Sequence, residues 1–104
     1  MKKIVVFGAS GDTGQYFVRY FLENYKGNEY QIVATGTRET DCFKKMNVSY
    51  YQVDITKKED FSKLPENVYA VVDLAGAMPA RMRGYNPYKY IDVNIIGNLN
   101  ILEY

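Results

Sequence analysis

The sequence contains no histidine and only one cysteine, Cys42, in 104 residues. The first absence excludes every mechanism that needs an imidazole base. A lone cysteine closes no disulfide within the chain and suits a reducing compartment. Together they leave too few ligands for a structural zinc site, so no metal is expected. Charge of one sign is also missing: 13 basic and 12 acidic residues give a net charge of +1. They are mixed along the chain without a basic stripe, which argues against a nucleic-acid partner. Long apolar runs are absent too. Lys2-Lys3 followed by Ile4-Val5-Val6-Phe7 begins like a secretory signal, but Gly8 and Asp12 end the run early. Nothing approaches the length of a membrane span. A cytoplasmic protein with no membrane partner is expected, and residues 1–104 read as one domain without repeats or linkers.

What is present is a rhythm. Ile4 to Phe7, Ile32-Val33-Ala34, Val48 to Val53 and Val68 to Val72 are short apolar runs, closed by Gly8, Thr35-Gly36, Asp54 and Asp73. Unbroken runs of this length fit parallel strands covered on both faces. The third is the most polar and fits a sheet edge. Between the runs lie helical patterns. Val18, Phe21, Leu22 and Tyr25 share one face, with Gly27 as a stop. Lys57 to Leu64 is a short charged helix candidate halted by Pro65. Ile91, Ile95, Leu99 and Leu102 continue a stripe to the last residue. Strand and helix thus alternate, which predicts an α/β fold with a parallel sheet and right-handed crossovers.

Directly after the first strand comes Gly8-Ala9-Ser10-Gly11-Asp12-Thr13-Gly14, a G-x-x-G-x-x-G pattern opening a helix. Gly8 permits a tight exit from the strand, Gly11 a close backbone approach to a pyrophosphate, and Gly14 close packing of helix on sheet. The helix start presents unpaired N–H groups and a positive dipole end to the anion. The strand before and the amphipathic helix after supply the context that gives such a motif meaning. Asp12 is repelled by a pyrophosphate. Its spacing to Gln15 is that of a capping box, which would turn the charge away.

These residues resemble the cofactor loop of the extended short-chain dehydrogenases, the NAD(P)-dependent epimerase/dehydratase group. Three later segments resemble the same group in the same order: Val53-Asp54-Ile55-Thr56, Val71 to Ala77, and Asn94-Ile95-Ile96-Gly97-Asn98-Leu99-Asn100-Ile101-Leu102-Glu103. The resemblance implies a Rossmann-type, three-layer αβα fold whose four strands lie in the order 3-2-1-4, an incomplete version of the family's sheet. It implies that Gly8, Ser10, Gly11, Asp12, Thr13 and Gly14 form the cofactor loop. Asp54 and Ile55 would hold the adenine, and Leu74, Ala75 and Gly76 would line the cofactor. Asn94 matches the family's catalytic asparagine, which holds a water for proton relay. A helix asparagine capping a neighbouring loop is the simpler alternative.

Cofactor choice is made at the end of the second strand, where a carboxylate grips the ribose of NAD and an arginine accepts the 2′-phosphate of NADP. Thr37 stands at the acidic position and Arg38 is next, so NADP is favoured over NAD. Glu39 offers Arg38 an ordinary ion pair as the alternative.

The resemblance also implies a Tyr-x-x-x-Lys pair several tens of residues beyond Asn94. The sequence ends at Tyr104, so these 104 residues are expected to bind cofactor without turnover. Tyr85-Asn86-Pro87-Tyr88-Lys89 spells the pair, but it precedes Asn94 and Pro87 breaks the turn that would align Tyr85 with Lys89. Arg81 and Arg83 would meet a substrate diphosphate in a complete enzyme, with an exposed loop as the simpler alternative. The strand at 68–74 is expected at an open edge, inviting self-association into a homo-oligomer. The function expected is the dinucleotide-binding portion of an epimerase/dehydratase or reductase directed at nucleotide sugars. A non-catalytic NADP(H) sensor and a nucleotide-free interaction domain stay open.

Overall fold

The structure, a computed structural model, describes residues 2–25, 27, 29–75 and 92–104. Four strands, β1 (Lys2–Phe7), β2 (Tyr30–Gly36), β3 (Ser49–Gln52) and β4 (Ala70–Asp73), form one parallel sheet in the order β3-β2-β1-β4. Val5 pairs with Val33 on one side and Val71 on the other, so β1 lies at the centre. This is the anticipated Rossmann order. The direction of winding reverses between β1 and β4, the place where open α/β sheets leave a crevice.

Alternate residues of the central strands feed two cores, as the two-residue period requires. Ile4, Val6, Ile32 and Ala34 pack on one face with Val18 of α1 (Asp12–Asn24) and Phe43. Val5, Phe7 and Val33 pack on the other with Val53, Ile55, Leu64 and Ile101. The last of these belongs to α2 (Asn98–Glu103). Helical segments thus cover both faces of the sheet, giving the three layers.

Four local expectations are corrected. α1 stops at Asn24 rather than Gly27, and Tyr25 is exposed. Asn24 turns its side-chain amide back to the Tyr20 carbonyl, which satisfies the helix end one turn early. Lys57 to Leu64 forms a 3-10 helix over Lys58–Lys63 instead of an α-helix, a form common in so short a stretch ended by Pro65. The capping box is not formed. Gly11 is the N-cap without a side-chain bond, and Gln15 donates to the Ser10 carbonyl at 2.9 Å instead.

The fourth correction concerns the C-terminal stripe. Ile95, Leu99 and Leu102 are 54%, 52% and 82% exposed, and Ile101 is the buried residue. Residues Asp92–Gly97 form a π-helix, which closes its bonds from i to i+5. The added residue per turn rotates the downstream residues by about 100°, which takes a 3.6-residue stripe off the core. Ile91 lies outside the described residues.

Candidate functional site

Because the strands are parallel, the loops at their C-terminal ends meet at one end of the sheet. The glycine loop leaves β1, Thr37-Arg38 leave β2, Val53-Asp54-Ile55 leave β3, and Leu74-Ala75 leave β4. Four hydrogen bonds stitch these loops together. Ala9 N–H donates to the Thr35 carbonyl at 2.8 Å, and Val53 N–H to the Gly36 carbonyl at 2.8 Å. Leu74 N–H donates to the Phe7 carbonyl at 2.9 Å, and the Thr35 hydroxyl to the Val6 carbonyl at 3.1 Å.

The three loop glycines differ in what requires them. Gly8 has φ +78, and a Cβ there would stand 2.6 Å from the Ala75 nitrogen. At Gly14 a Cβ would meet the Gly8 carbonyl oxygen at 2.3 Å and the Ala9 Cα at 2.5 Å. Both are demanded by the fold. Gly11 has an ordinary φ of −75, and its imagined Cβ meets only the Gly8 oxygen, at 3.6 Å. Nothing among the described residues forbids a side chain at Gly11. The first turn of α1 follows directly, and its leading N–H groups have no intrahelical acceptor and no side-chain cap.

Asp12 and Thr13 are exposed in that first turn, whereas Ser10 is 6% exposed. The Ser10 carbonyl accepts from both Gln15 and the Arg38 guanidinium. Arg38 is therefore drawn to the glycine loop, and no Arg38–Glu39 ion pair forms among the described residues. Tyr50, which the sequence reading overlooked, donates its hydroxyl to the Arg38 carbonyl and stacks on Phe43 at 5.3 Å. Burial pushes the Tyr50 hydroxyl above its ordinary range, opposed by its hydrogen bond with Ser10 and by the Arg38 charge. Gly36 makes room for this cluster, since a Cβ there would strike Ser10 Oγ at 2.2 Å.

After β3, Asp54 Oδ1 accepts from the Thr56 N–H at 3.0 Å and from its hydroxyl at 2.6 Å. Asp60 caps the turn by accepting the Asp54 N–H at 2.9 Å. Ile55 is buried in the second core. Leu74 is 38% exposed, and Ala75 N–H is held by Asp73 Oδ1 at 3.1 Å. Asn94 lies inside the π-helix, a form concentrated at functional sites. Its carbonyl accepts the Asn98 side-chain amide at 2.8 Å. Asn98 Oδ1 is buried without a hydrogen-bond partner among the described residues. Gly76, Arg81, Arg83 and the Tyr85–Lys89 segment lie outside the described residues. A shallow depression of about 400 Å³ beside Lys2, Lys3 and Tyr69 sits at the opposite end of the strands, away from all these groups.

The profile of the NAD dependent epimerase/dehydratase family matches residues 4–104. The chain belongs to that family. Among curated relatives it is 29% identical to UDP-glucuronate 4-epimerase from Thermodesulfobacterium geofontis, over 95% of this chain and 34% of that protein. It is likewise 29% identical to the inverting UDP-N-acetylglucosamine 4,6-dehydratase of Campylobacter jejuni, over 98% of this chain and 32% of that protein. The chain thus spans about a third of the length of these relatives. L-threonine dehydrogenase from Clostridium difficile superposes with a TM-score of 0.78 at 24% identity, over 99% of this chain and 32% of that one. UDP-glucose 4-epimerase from Thermus thermophilus, solved with NAD, gives 0.75 at 21% identity, over 97% and 32%. These two likenesses establish the fold. No helix among the described residues is long and apolar enough to cross a membrane.

Proposed function

We propose that the chain is the dinucleotide-binding portion of an NAD(P)-dependent epimerase/dehydratase whose substrate is a nucleotide sugar. The observation that carries this reading is Gly11. The fold requires glycine at Gly8 and Gly14 but leaves the Gly11 Cβ position open. A bare backbone there is explained by an outside group resting on it, and the uncapped N–H groups of α1 suit the pyrophosphate of a dinucleotide. The glycine loop from Gly8 to Gly14, with Ser10, Asp12 and Thr13, takes the pyrophosphate. Leu74 and Ala75 line the switch-point crevice, and Asp54 with Ile55 receives the adenine. The substrate class rests on the named activities of the two curated relatives.

NADP is the favoured cofactor. Arg38 carries the cation at the end of β2, no carboxylate stands at Thr37, and Arg38 makes no ion pair with Glu39 among the described residues. A bound nicotinamide would supply the hydride acceptor, and Asn94 would hold a water for proton relay. The chain also self-associates through β4 with a second copy of itself. Val71 and Leu74 are 40% and 38% exposed there, and β4 pairs only with β1 among the described strands.

Calorimetric titration with NADPH and NADH tests the reading. Saturable one-to-one binding, tighter for NADPH, is expected. Heat indistinguishable from dilution with both would refute it.

A further inference from the structure

The two edges of the sheet are not alike. At β3, the Val53 N–H turns inward to the Gly36 carbonyl at 2.8 Å, so by alternation the Gln52 carbonyl faces outward. Lys63 reaches from the end of the 3-10 helix and caps that carbonyl at 3.0 Å. A lysine placed so on an edge strand blocks further pairing. At β4, the Leu74 N–H turns inward to the Phe7 carbonyl at 2.9 Å. Val71 and Asp73 therefore present their main-chain groups to the open edge, and no side chain among the described residues caps them.

Charge is unevenly placed along this open edge. Val71 pairs with Val5 and Asp73 with Phe7, so both stand on the sheet face whose core contains Val5 and Phe7. Asp73 accepts the Ala75 N–H at 3.1 Å and is otherwise exposed. Lys3 stands on the same face, level with Tyr69, at the other end of the strand. It makes no ion pair among the described residues, and it lines the depression of about 400 Å³ with Val68 and Tyr69. The edge is acidic where β4 ends and basic where β4 begins.

We propose that two copies of the chain join edge to edge through β4, antiparallel about a two-fold axis at Val71, so that Asp73 of each copy meets Lys3 of the other. This geometry rests on the self-association through β4 given above. Parallel, in-register pairing would set the two Asp73 carboxylates side by side. An axis at Val72 would set each Asp73 against the apolar Val71 of the other copy, where a carboxylate loses water without finding a partner. With the axis at Val71, the two Val71 side chains meet. Leu74 of each copy, 38% exposed, arrives opposite Val68 of the other, beside the depression. The sheet then runs on in the order 3-2-1-4-4-1-2-3. Both outer edges are β3 strands capped by Lys63, so assembly stops at two copies.

Sedimentation of the 104-residue protein tests this arrangement. Asp73→Lys and Lys3→Glu each set like charges together at both ends of the interface, and each is expected to weaken the dimer by about tenfold or more. Mixed one to one, the two variants again have opposite charges at both ends. A heterodimer within about threefold of the unaltered affinity is expected. Val71→Cys in a Cys42→Ser background should also crosslink to itself on mild oxidation, because directly opposite Cα atoms lie within disulfide reach, and Val72→Cys should not. Charge variants that dimerise as well as the unaltered protein, a mixture that stays apart, or a crosslink at Val72→Cys in place of Val71→Cys overturns the proposal. If a charge variant unfolds, the crosslink decides. Any of these results in a protein that still dimerises leaves self-association standing without this geometry. An unaltered protein that stays monomeric at every concentration removes the self-association itself.

Discussion

Gly8 and Ala75 are fitted to each other across the switch point, with 2.6 Å between the Ala75 nitrogen and the position a Gly8 Cβ would take. A side chain there must displace backbone while adopting a positive φ. Gly8→Ala is expected to cost at least about 2 kcal/mol, the sum of left-handed strain and overpacking. Gly11→Ala should change stability by less than about 1 kcal/mol, because its Cβ makes only an ordinary van der Waals contact, 3.6 Å from the Gly8 oxygen, at ordinary dihedrals. Urea midpoints of the two variants check this. Equal losses would mean that the two glycines do not differ in kind.

Arg38 is the cation expected to read the 2′-phosphate. Arg38→Ala should weaken NADPH by about tenfold or more, the scale of one charge-assisted hydrogen bond, and leave NADH within about threefold. Paired titrations measure the difference. A variant that lost both cofactors equally would assign Arg38 to holding the Ser10 carbonyl and nothing more.

Burial raises the hydroxyls of Tyr104 and Tyr50 above the ordinary tyrosine value of 10.0. Both are neutral in folded and unfolded chains at pH 7, so neither makes stability depend on pH there. As pH climbs past 10.0 the unfolded chain ionises first, the folded state holds more protons, and stability falls. Tyr104 also donates its hydroxyl to the Pro65 carbonyl. Tyr104→Phe should therefore cost about 1 kcal/mol at neutral pH and shallow the alkaline decline. Thermal unfolding between neutrality and strongly alkaline pH reads both effects, and an unchanged alkaline limb would contradict the assignment.

The outer edge of β4 is expected to pair with a second chain. Val71→Lys places a charge on that edge and should abolish the dimer in sedimentation experiments. A monodisperse monomer of the unaltered protein, with the β4 amides exchanging freely, would remove the basis for this interface.

Much of the architecture was legible because parallel strands buried on both faces cannot hide their apolar runs. Ile4 to Phe7 and Ile32 to Ala34 lie within β1 and β2, and the glycine spacing located the start of α1. Tertiary decisions were not legible. The π-helix over Asp92–Gly97 rotates the face beyond it, so the regular stripe of Ile95, Leu99 and Leu102 misled while Ile101 took the core. The 3-10 turn at Lys44–Met46 closes on Asn47 with φ 58, a conformation asparagine tolerates but does not announce. At the site, the motif glycines and Arg38 were visible one by one. Tyr50 and Asn100 act through backbone carbonyls, at Arg38 and Ile55, and such contacts leave no spacing to read.

The most direct measurement is a fluorescence titration of the unaltered protein and Gly11→Val with NADPH, paired with urea unfolding of both. Saturable binding is expected for the unaltered protein. Gly11→Val should weaken it by about a hundredfold or more, since a branched side chain would occupy the phosphate seat, while the urea midpoint barely moves. Undiminished affinity in the variant, or no saturable binding by the unaltered protein, would show that Gly11 is not kept bare for a dinucleotide.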